Sequence, residues 1–167
     1  FYDKENKTMK EAVFAGTFDP FTKGHEAVLA RAALLFDHVT VAVCEKSKSG
    51  VSAVARAAIA KRSAEKIRNA SVEIFGGLLT DYMKKKRCRI LVRGLRGAAD
   101  FEYEKQLFLA YKSMMPEIEV CYLVADGADA YVSSSLVREI LALNGDASAY
   151  IDSEAAAEIR KEYGAEK

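Results

Sequence analysis

Glu11-Ala12-Val13-Phe14-Ala15-Gly16-Thr17-Phe18-Asp19-Pro20-Phe21-Thr22-Lys23-Gly24-His25 is the stretch on which the fold turns. Glu11 to Ala15 has the short apolar run of a buried strand, and beyond the loop Val28, Leu29, Ala32, Leu35 and Phe36 fall at helical spacing. A strand therefore runs through a glycine-containing loop into a helix. Gly16 and Gly24 allow the backbone to approach a ligand, the helix start offers unpaired N–H groups and a positive dipole end, and Thr17 adds a hydroxyl donor. These are parts that hold phosphate. The loop lacks the lysine of a P-loop and the spacing of the G-x-G-x-x-G dinucleotide fingerprint, so neither applies. Taken alone, it also fits, less well, a tight turn in which a Thr and His25 only cap the helix.

The strand–helix alternation repeats outward from there. Val39–Cys44, Val72–Phe75, Ile90–Val92 and Ile118–Val124 read as strands. The intervening helices are predicted over Ala53–Arg68, Leu79–Lys86 and Ala99–Met115, the last stopping before Pro116, followed by Ser134–Leu143 closed at Asn144-Gly145 and Ser153–Tyr163. Strands alternating with helices through the chain predict an α/β fold with a doubly wound, five-stranded parallel sheet. In such sheets ligands lie beyond the carboxyl ends of the strands, where the strand order reverses. Phe1–Thr8 is polar and aperiodic, and is expected to be a tag remnant or disordered extension ahead of a single domain over residues 9–167.

Other strand-end loops carry the same chemistry as the first. Glu45-Lys46-Ser47-Lys48-Ser49-Gly50 is basic, either simply solvated or facing an anion. Arg93-Gly94-Leu95-Arg96-Gly97 reads as two guanidinium forks held by glycines, suited to bidentate phosphate recognition. Ser133-Ser134-Ser135 opens a helix with Arg138 one turn on, a pattern for one anion or for N-capping by a single serine. Such loops after the first, second, fourth and fifth strands together predict a polyphosphate substrate. Lys84-Lys85-Lys86-Arg87 falls at the opposite end of the sheet and reads as solvated. His38, between a helix and a strand, reads as structural.

Charge is nearly balanced, 25 Lys and Arg against 24 Asp and Glu in 167 residues, which gives no global reason for a nucleic acid or membrane partner. No apolar run approaches the roughly 18 to 20 residues of a membrane span. Cys44, Cys88 and Cys121 are far apart with no C-x-x-C spacing, so reduced thiols in a cytoplasmic protein are the expectation, and with His25 and His38 as the only histidines no protein metal cage is predicted.

Gly16-Thr17-Phe18-Asp19-Pro20 with Thr22-x-Gly24-His25, Arg93-Gly94-Leu95-Arg96 with Asp100-Phe101-Glu102-Tyr103-Glu104, and Ser133-Ser134-Ser135-x-x-Arg138-Glu139 together resemble the bacterial phosphopantetheine adenylyltransferases, within the nucleotidyltransferase superfamily marked by a T/H-x-G-H loop. The resemblance covers residues 10 to 155 and implies a Rossmann-like nucleotidyltransferase fold. It also implies transfer of AMP from ATP to 4′-phosphopantetheine, giving dephospho-coenzyme A and pyrophosphate. Because the nucleophile is already a phosphate oxygen, alignment and charge stabilisation suffice and no general base is required.

By that similarity Thr17 would position the nucleophilic phosphate and contact ATP, and His25 would stabilise the pentavalent transition state. Lys48 and Arg93 would hold the incoming phosphate, and Leu79 would line the pantetheine arm. Phe18, Gly94, Leu95, Arg96, Glu104, Asp129, Ala130, Tyr131, Val132, Ser133, Ser134 and Ser135 would sit on ATP, with Arg96 and the serines on its phosphates. Thr17, His25, Lys48 and Arg96 would be catalytic, Mg2+ would be held mainly by ATP phosphates, and a homohexamer with feedback binding of coenzyme A is the family expectation. Two stretches depart from the family pattern. The loop after the second strand lacks the usual Asn-Pro-type turn, which leaves Lys46 a rival to Lys48, and Asp129-Ala130 replaces the usual aromatic-plus-hydroxyl pair. A non-catalytic nucleotide or coenzyme A sensor, and an enzyme using nicotinate mononucleotide or a sugar or polyol phosphate as acceptor, are the other readings.

Overall fold

A computed structural model describes residues 9–125 and 131–163; Phe1–Thr8, Asp129 and Ala130 lie outside them. Five strands, β1 (Glu11–Gly16), β2 (His38–Cys44), β3 (Ala70–Phe75), β4 (Ile90–Leu95) and β5 (Glu119–Val124), alternate with helices α1 (Lys23–Leu35), α2 (Ala53–Ala64), α3 (Leu79–Lys86), α4 (Ala98–Met114), α5 (Ser134–Ala142) and α6 (Ala156–Tyr163). All strand pairs are parallel, in the order β3-β2-β1-β4-β5. This is the doubly wound arrangement expected from the alternation.

Period-two alternation sorts the strand residues between two layers. Ala12 and Phe14 of β1, with Val39, Val41 and Val43 of β2, join a core completed by α1, α2, α5 and α6. Val13, Ala15 and Ala42 face the other way, onto Met83 of α3 and Met115 after α4. That second layer is thinly covered. Of the 17 residues of α4 only Glu104 is buried, and Phe101, Tyr103, Leu109 and Met114 are exposed.

Some boundaries differ from the sequence expectation for identifiable reasons. β4 continues through Arg93-Gly94-Leu95, pairing with Tyr122, Leu123 and Val124 of β5, so Arg93 stands on a strand rather than in a loop. Helix α2 ends at Ala64, where the chain turns so that Ile67 N–H reaches Ala64 O and Ala70 N–H reaches Ile67 O. The last predicted helix begins as a 3-10 turn at Ser153–Ala155, capped by the Asp152 side chain on Glu154 N–H. The lysine run is only partly solvated: Lys86 pairs with Glu73 at 2.6 Å and Lys84 donates to Met114 O at 2.7 Å. His38 is structural, within 2.8 Å of the Ser71 hydroxyl on the neighbouring strand. No helix among the described residues is long and apolar enough to cross a membrane.

The strand order reverses between β1 and β4, so the ligand-binding crevice of such a sheet belongs at their carboxyl ends. The ladder there is short. β1 and β2 pair along six positions, whereas β1 and β4 pair only at Val13↔Leu91 and Phe14↔Val92. Beyond Phe14 the two strands part.

Candidate active site

A cleft of about 330 Å³ opens where β1 and β4 part, with Thr17, His25, Arg93, Arg96 and Ser133 among its walls. Arg93 Nη1 donates to Ala15 O at 2.6 Å, tying β4 back to the end of β1. Gly94 lets α1 close on the strand, because a Cβ there would meet Val28 Cγ2 at 3.1 Å. The start of α1 is thereby drawn against the sheet, bringing His25 to the cleft wall.

His25 is N3 of α1, and Thr22 is its N-cap. Thr22 N–H donates to His25 Nδ1 at 3.1 Å, and the Thr22 hydroxyl lies 3.0 Å from the same nitrogen. A ring nitrogen that accepts a backbone N–H bears no proton, so a neutral His25 carries its proton on Nε2. The ring sits among Phe18 and Phe21, with centroids 5.1 and 5.2 Å away, and Phe14 at 6.3 Å. Burial first, then the charges of Arg96 and Arg93, lower its pKa from 6.5 to about 4. The capped turn is thus part of the cleft wall. The cap fixes the tautomer, and the aromatic packing keeps the ring neutral, ready to donate from Nε2. Phe18 holds a left-handed backbone, φ 46°, with its ring buried against Phe14 and Phe21. Its ring packs edge-on to His25, and Phe18, expected on ATP, is among the residues lining the cleft.

Both arginines are held by carboxylates. Glu104, buried on α4, takes Arg93 Nε at 2.9 Å and Nη2 on its other oxygen, a bidentate pair that raises the Arg93 pKa against the effect of burial. Arg93 keeps two of its five N–H donors uncommitted by these bonds. Asp100 in the first turn of α4 accepts the Arg96 backbone N–H at 3.0 Å, Nε at 3.0 Å and Nη2 at 3.2 Å. Hydrogen bonds from Arg96 hold the Asp100 pKa low despite partial burial. Glu104, expected on the ATP side, lines the cleft through this pair, whereas Leu95, expected there too, is buried and does not line it.

The serines divide their work. Ser133 Oγ accepts Leu136 N–H at 3.1 Å as the N-cap of α5, which leaves its O–H free to donate to an anion. Ser134 gives its proton to Pro20 O at 2.9 Å, and Ser135 accepts from Arg138 Nη2 at 3.2 Å. Ser133 and Ser134 line the cleft together with Val132; Ser135 does not. Tyr131 is exposed, edge-on to Tyr150 at 5.9 Å, in a side depression with Arg96 and Asp100.

Lys48, its rival Lys46, Leu79, Leu95, Tyr131 and Ser135 are not among the residues lining this cleft. Lys48 and Lys46 are exposed on the loop after β2. Leu79, first residue of α3, packs on the second core layer. Thr17, Gly94, Arg93, Arg96 and His25 are brought together as expected.

Two residues escaped sequence reasoning. Arg56 is fully buried and gives Nε to Val51 O at 3.1 Å, Nη2 to Glu45 O at 2.9 Å and Nη1 to Thr17 O, tying the first loop to the second. Its spacing from the buried Ile59, Ala60 and Ser63 puts it on the core face of α2, a signal present in the sequence. Asp19 is buried and accepts hydroxyls from Ser49 at 2.6 Å and Tyr163 at 2.7 Å. No local pattern joins those three.

The sheet, its switch-point cleft and the donors gathered there define a protein of the nucleotidyltransferase class. In fold it is similar to Plasmodium falciparum nicotinic acid mononucleotide adenylyltransferase complexed with NaAD, at a TM-score of 0.69 and 15% identity over 92% of this chain and 96% of that one. The cytidylyltransferase-like family model matches residues 13–140. Proteins named phosphopantetheine adenylyltransferase are similar along most of the chain: that of Nautilia profundicola is 41% identical over 86% of this chain and 95% of its own, and that of Tolumonas auensis 42% over 85% and 88%. That of Shouchella clausii is 36% identical over 93% of this chain and 99% of its own. The chain belongs to the cytidylyltransferase-like family and, within it, to the phosphopantetheine adenylyltransferases.

Proposed function

We propose that this chain transfers the adenylyl group of ATP to the phosphate of 4′-phosphopantetheine, giving dephospho-coenzyme A and pyrophosphate, a step of coenzyme A biosynthesis. A phosphate oxygen of the acceptor attacks the α-phosphorus, and the bond from that phosphorus to the pyrophosphate oxygen breaks. The acceptor phosphate is deprotonated enough to attack unaided, so the protein's part is alignment and charge stabilisation.

The observation that carries this reading is His25, held by Thr22 as a neutral Nε2–H donor on the cleft wall. Such a preorganised donor suits the charge that develops on the α-phosphoryl oxygens. Thr17 stands at the mouth of the first loop to orient the acceptor phosphate, Arg93 offers its two uncommitted donors beside it, and Arg96 and the Ser133 hydroxyl take the remaining phosphates of ATP. Val132 and Tyr131 offer the adenine side, a role that the family resemblance also gives to Asp129 and Ala130. Lys48, or Lys46, reaches the acceptor phosphate from the second loop, and Leu79 meets the pantetheine arm.

Mg2+ supplies charge neutralisation on the triphosphate. The donor set fits an ion held by phosphate oxygens: Asp100 and Glu104, the carboxylates lining the cleft, are already committed to Arg96 and Arg93. The exposed apolar surface of α4 supports assembly into the homohexamer expected of the family. Coenzyme A, which shares the pantetheine arm, is proposed to bind back at the acceptor side, and the enzyme to work in the cytoplasm.

The test is an acceptor panel with Mg-ATP. Pyrophosphate should appear with 4′-phosphopantetheine and stay at background with nicotinate mononucleotide and with glycerol phosphate. Release with one of those acceptors instead would reassign the substrate, and tight ATP binding with no release from any would favour a sensor.

A further inference from the structure

Asp19 sits where four parts of the chain meet. Its side chain is 5% exposed, and its Oδ1 accepts two hydroxyls, Ser49 at 2.6 Å and Tyr163 at 2.7 Å. Its Oδ2 faces Arg138 Nη1 at 3.9 Å, beyond a direct hydrogen bond, while its main-chain carbonyl accepts from that same nitrogen. Ser49 in turn accepts Val51 N–H at 3.2 Å and shares a hydrogen bond with Ser47 at 3.2 Å. A continuous chain of hydrogen bonds therefore runs from Tyr163, in the last turn of α6, through Asp19 to the loop that carries Lys48. Burial first, and then the bond to Asp19, drive the Tyr163 pKa far above the ordinary range, so its hydroxyl remains a donor at any working pH.

We propose that Tyr163 is a positioning residue for the acceptor side of the reaction: its hydroxyl orients Asp19 so that Asp19 holds the Ser47–Val51 loop on the β1–α1 turn, and this fixes the base from which Lys48, which does not itself line the cleft, reaches toward the acceptor phosphate. This rests on the function proposed above only for the identity of the acceptor. Lys46 and Lys48 are exposed, on a loop where Gly50 has φ 81°, and the Ser49 bond is what anchors its tip to the β1–α1 turn. The donor on Oδ1 decides which way the carboxylate points. Without the Tyr163 hydroxyl the carboxylate is free to swing toward Arg138, shorten the 3.9 Å contact and withdraw from Ser49. The Tyr163 ring packs on the main core independently of its hydroxyl, so Tyr163→Phe keeps the packing and deletes only the donor.

The experiment pairs amide exchange with kinetics in Tyr163→Phe and Ser49→Ala. In the ligand-free protein the Val51 amide should exchange about tenfold faster in either variant, the size expected from losing one hydrogen bond to a charged group. Acceptor KM should rise about tenfold, with kcat and the KM for ATP within about twofold of wild type. The double variant should be no worse than either single one, because both cut the same chain. Unchanged Val51 exchange in Tyr163→Phe would overturn the proposal whatever the kinetics. So would equal rises in both KM values, which mark a general loss of structure. If Tyr163→Phe fails to fold, Asp19→Asn decides by the same readings, because Ser49→Ala itself deletes the acceptor of Val51 N–H and for it only the KM readings count. If wild type releases no pyrophosphate, the substrate assignment falls, while Val51 exchange still decides for or against the Asp19 chain.

Discussion

His25 offers the sharpest quantitative check. Its pKa is held at about 4 against 6.5, so protonating it in the folded protein costs about 3 kcal/mol more than in the unfolded chain. The sign follows from the direction. A histidine with a lowered folded pKa contributes stability that is fully present above pH 6.5 and is lost as the pH falls through 6.5 to about 4, because the unfolded state takes up the proton first. Replacing His25 by Gln, which does not titrate, should remove that dependence. Urea unfolding of wild type and His25→Gln at pH 7.5 and pH 4.5 should then show wild type losing about 2 to 3 kcal/mol more than the variant across the interval. Carbon and nitrogen shifts of the His25 ring should give the Nε2–H tautomer at pH 7 and a titration near pH 4. Binding of Mg-ATP should raise that pKa, since anionic phosphate favours the imidazolium. A His25 that titrates near 6.5, or carries its proton on Nδ1, would refute both the burial argument and the donor role.

Other consequences can be checked separately. His25→Ala should lower kcat about 100- to 1,000-fold, as removal of one transition-state donor does, with the fold retained by circular dichroism; a near-normal kcat would remove it from the mechanism. Arg56→Met should destabilise by about 3 kcal/mol in urea titrations, because the carbonyls of Thr17, Glu45 and Val51 lose a common donor. Asp100→Asn should leave stability within about 1 kcal/mol, as expected for a partly exposed pair, yet raise the KM for ATP, because Arg96 loses the group that aims it. Gly94→Ala should cost about 1 to 3 kcal/mol by pushing Val28 and α1 off β4, measured as a lowered Tm.

The strand–helix alternation was readable because β1 and β2 are nearly unbroken apolar runs buried on both faces, and a sheet of such strands has few architectures open to it. β4 was cut short in the reading because Arg93 and Gly94 resemble loop residues. On the strand the arginine is tolerated only because Glu104, a helix away, neutralises it, and the glycine because α1 lies against it. The first loop was legible as phosphate-suited from its glycines and helix start, but the tautomer and low pKa of His25 come from Phe14, Phe18 and Phe21 closing around it, which spacing does not encode. The three serines looked equivalent in sequence. Their different partners, Leu136 N–H, Pro20 O and Arg138, arise from tertiary packing and leave Ser133 the hydroxyl to offer. Arg56 could have been found from its core-facing helical spacing; Asp19, Ser49 and Tyr163 could not, since they meet across 144 positions of chain.

Adenylyl transfer to a phosphate acceptor is tested most directly by following the label from ATP. With Mg2+ and 4′-phosphopantetheine, ATP labelled at the α-phosphorus should pass its label into dephospho-coenzyme A, identified by mass, while γ-label leaves only in pyrophosphate. Label from the γ position in an acceptor product, or α-label that never leaves ATP and AMP, would contradict the account.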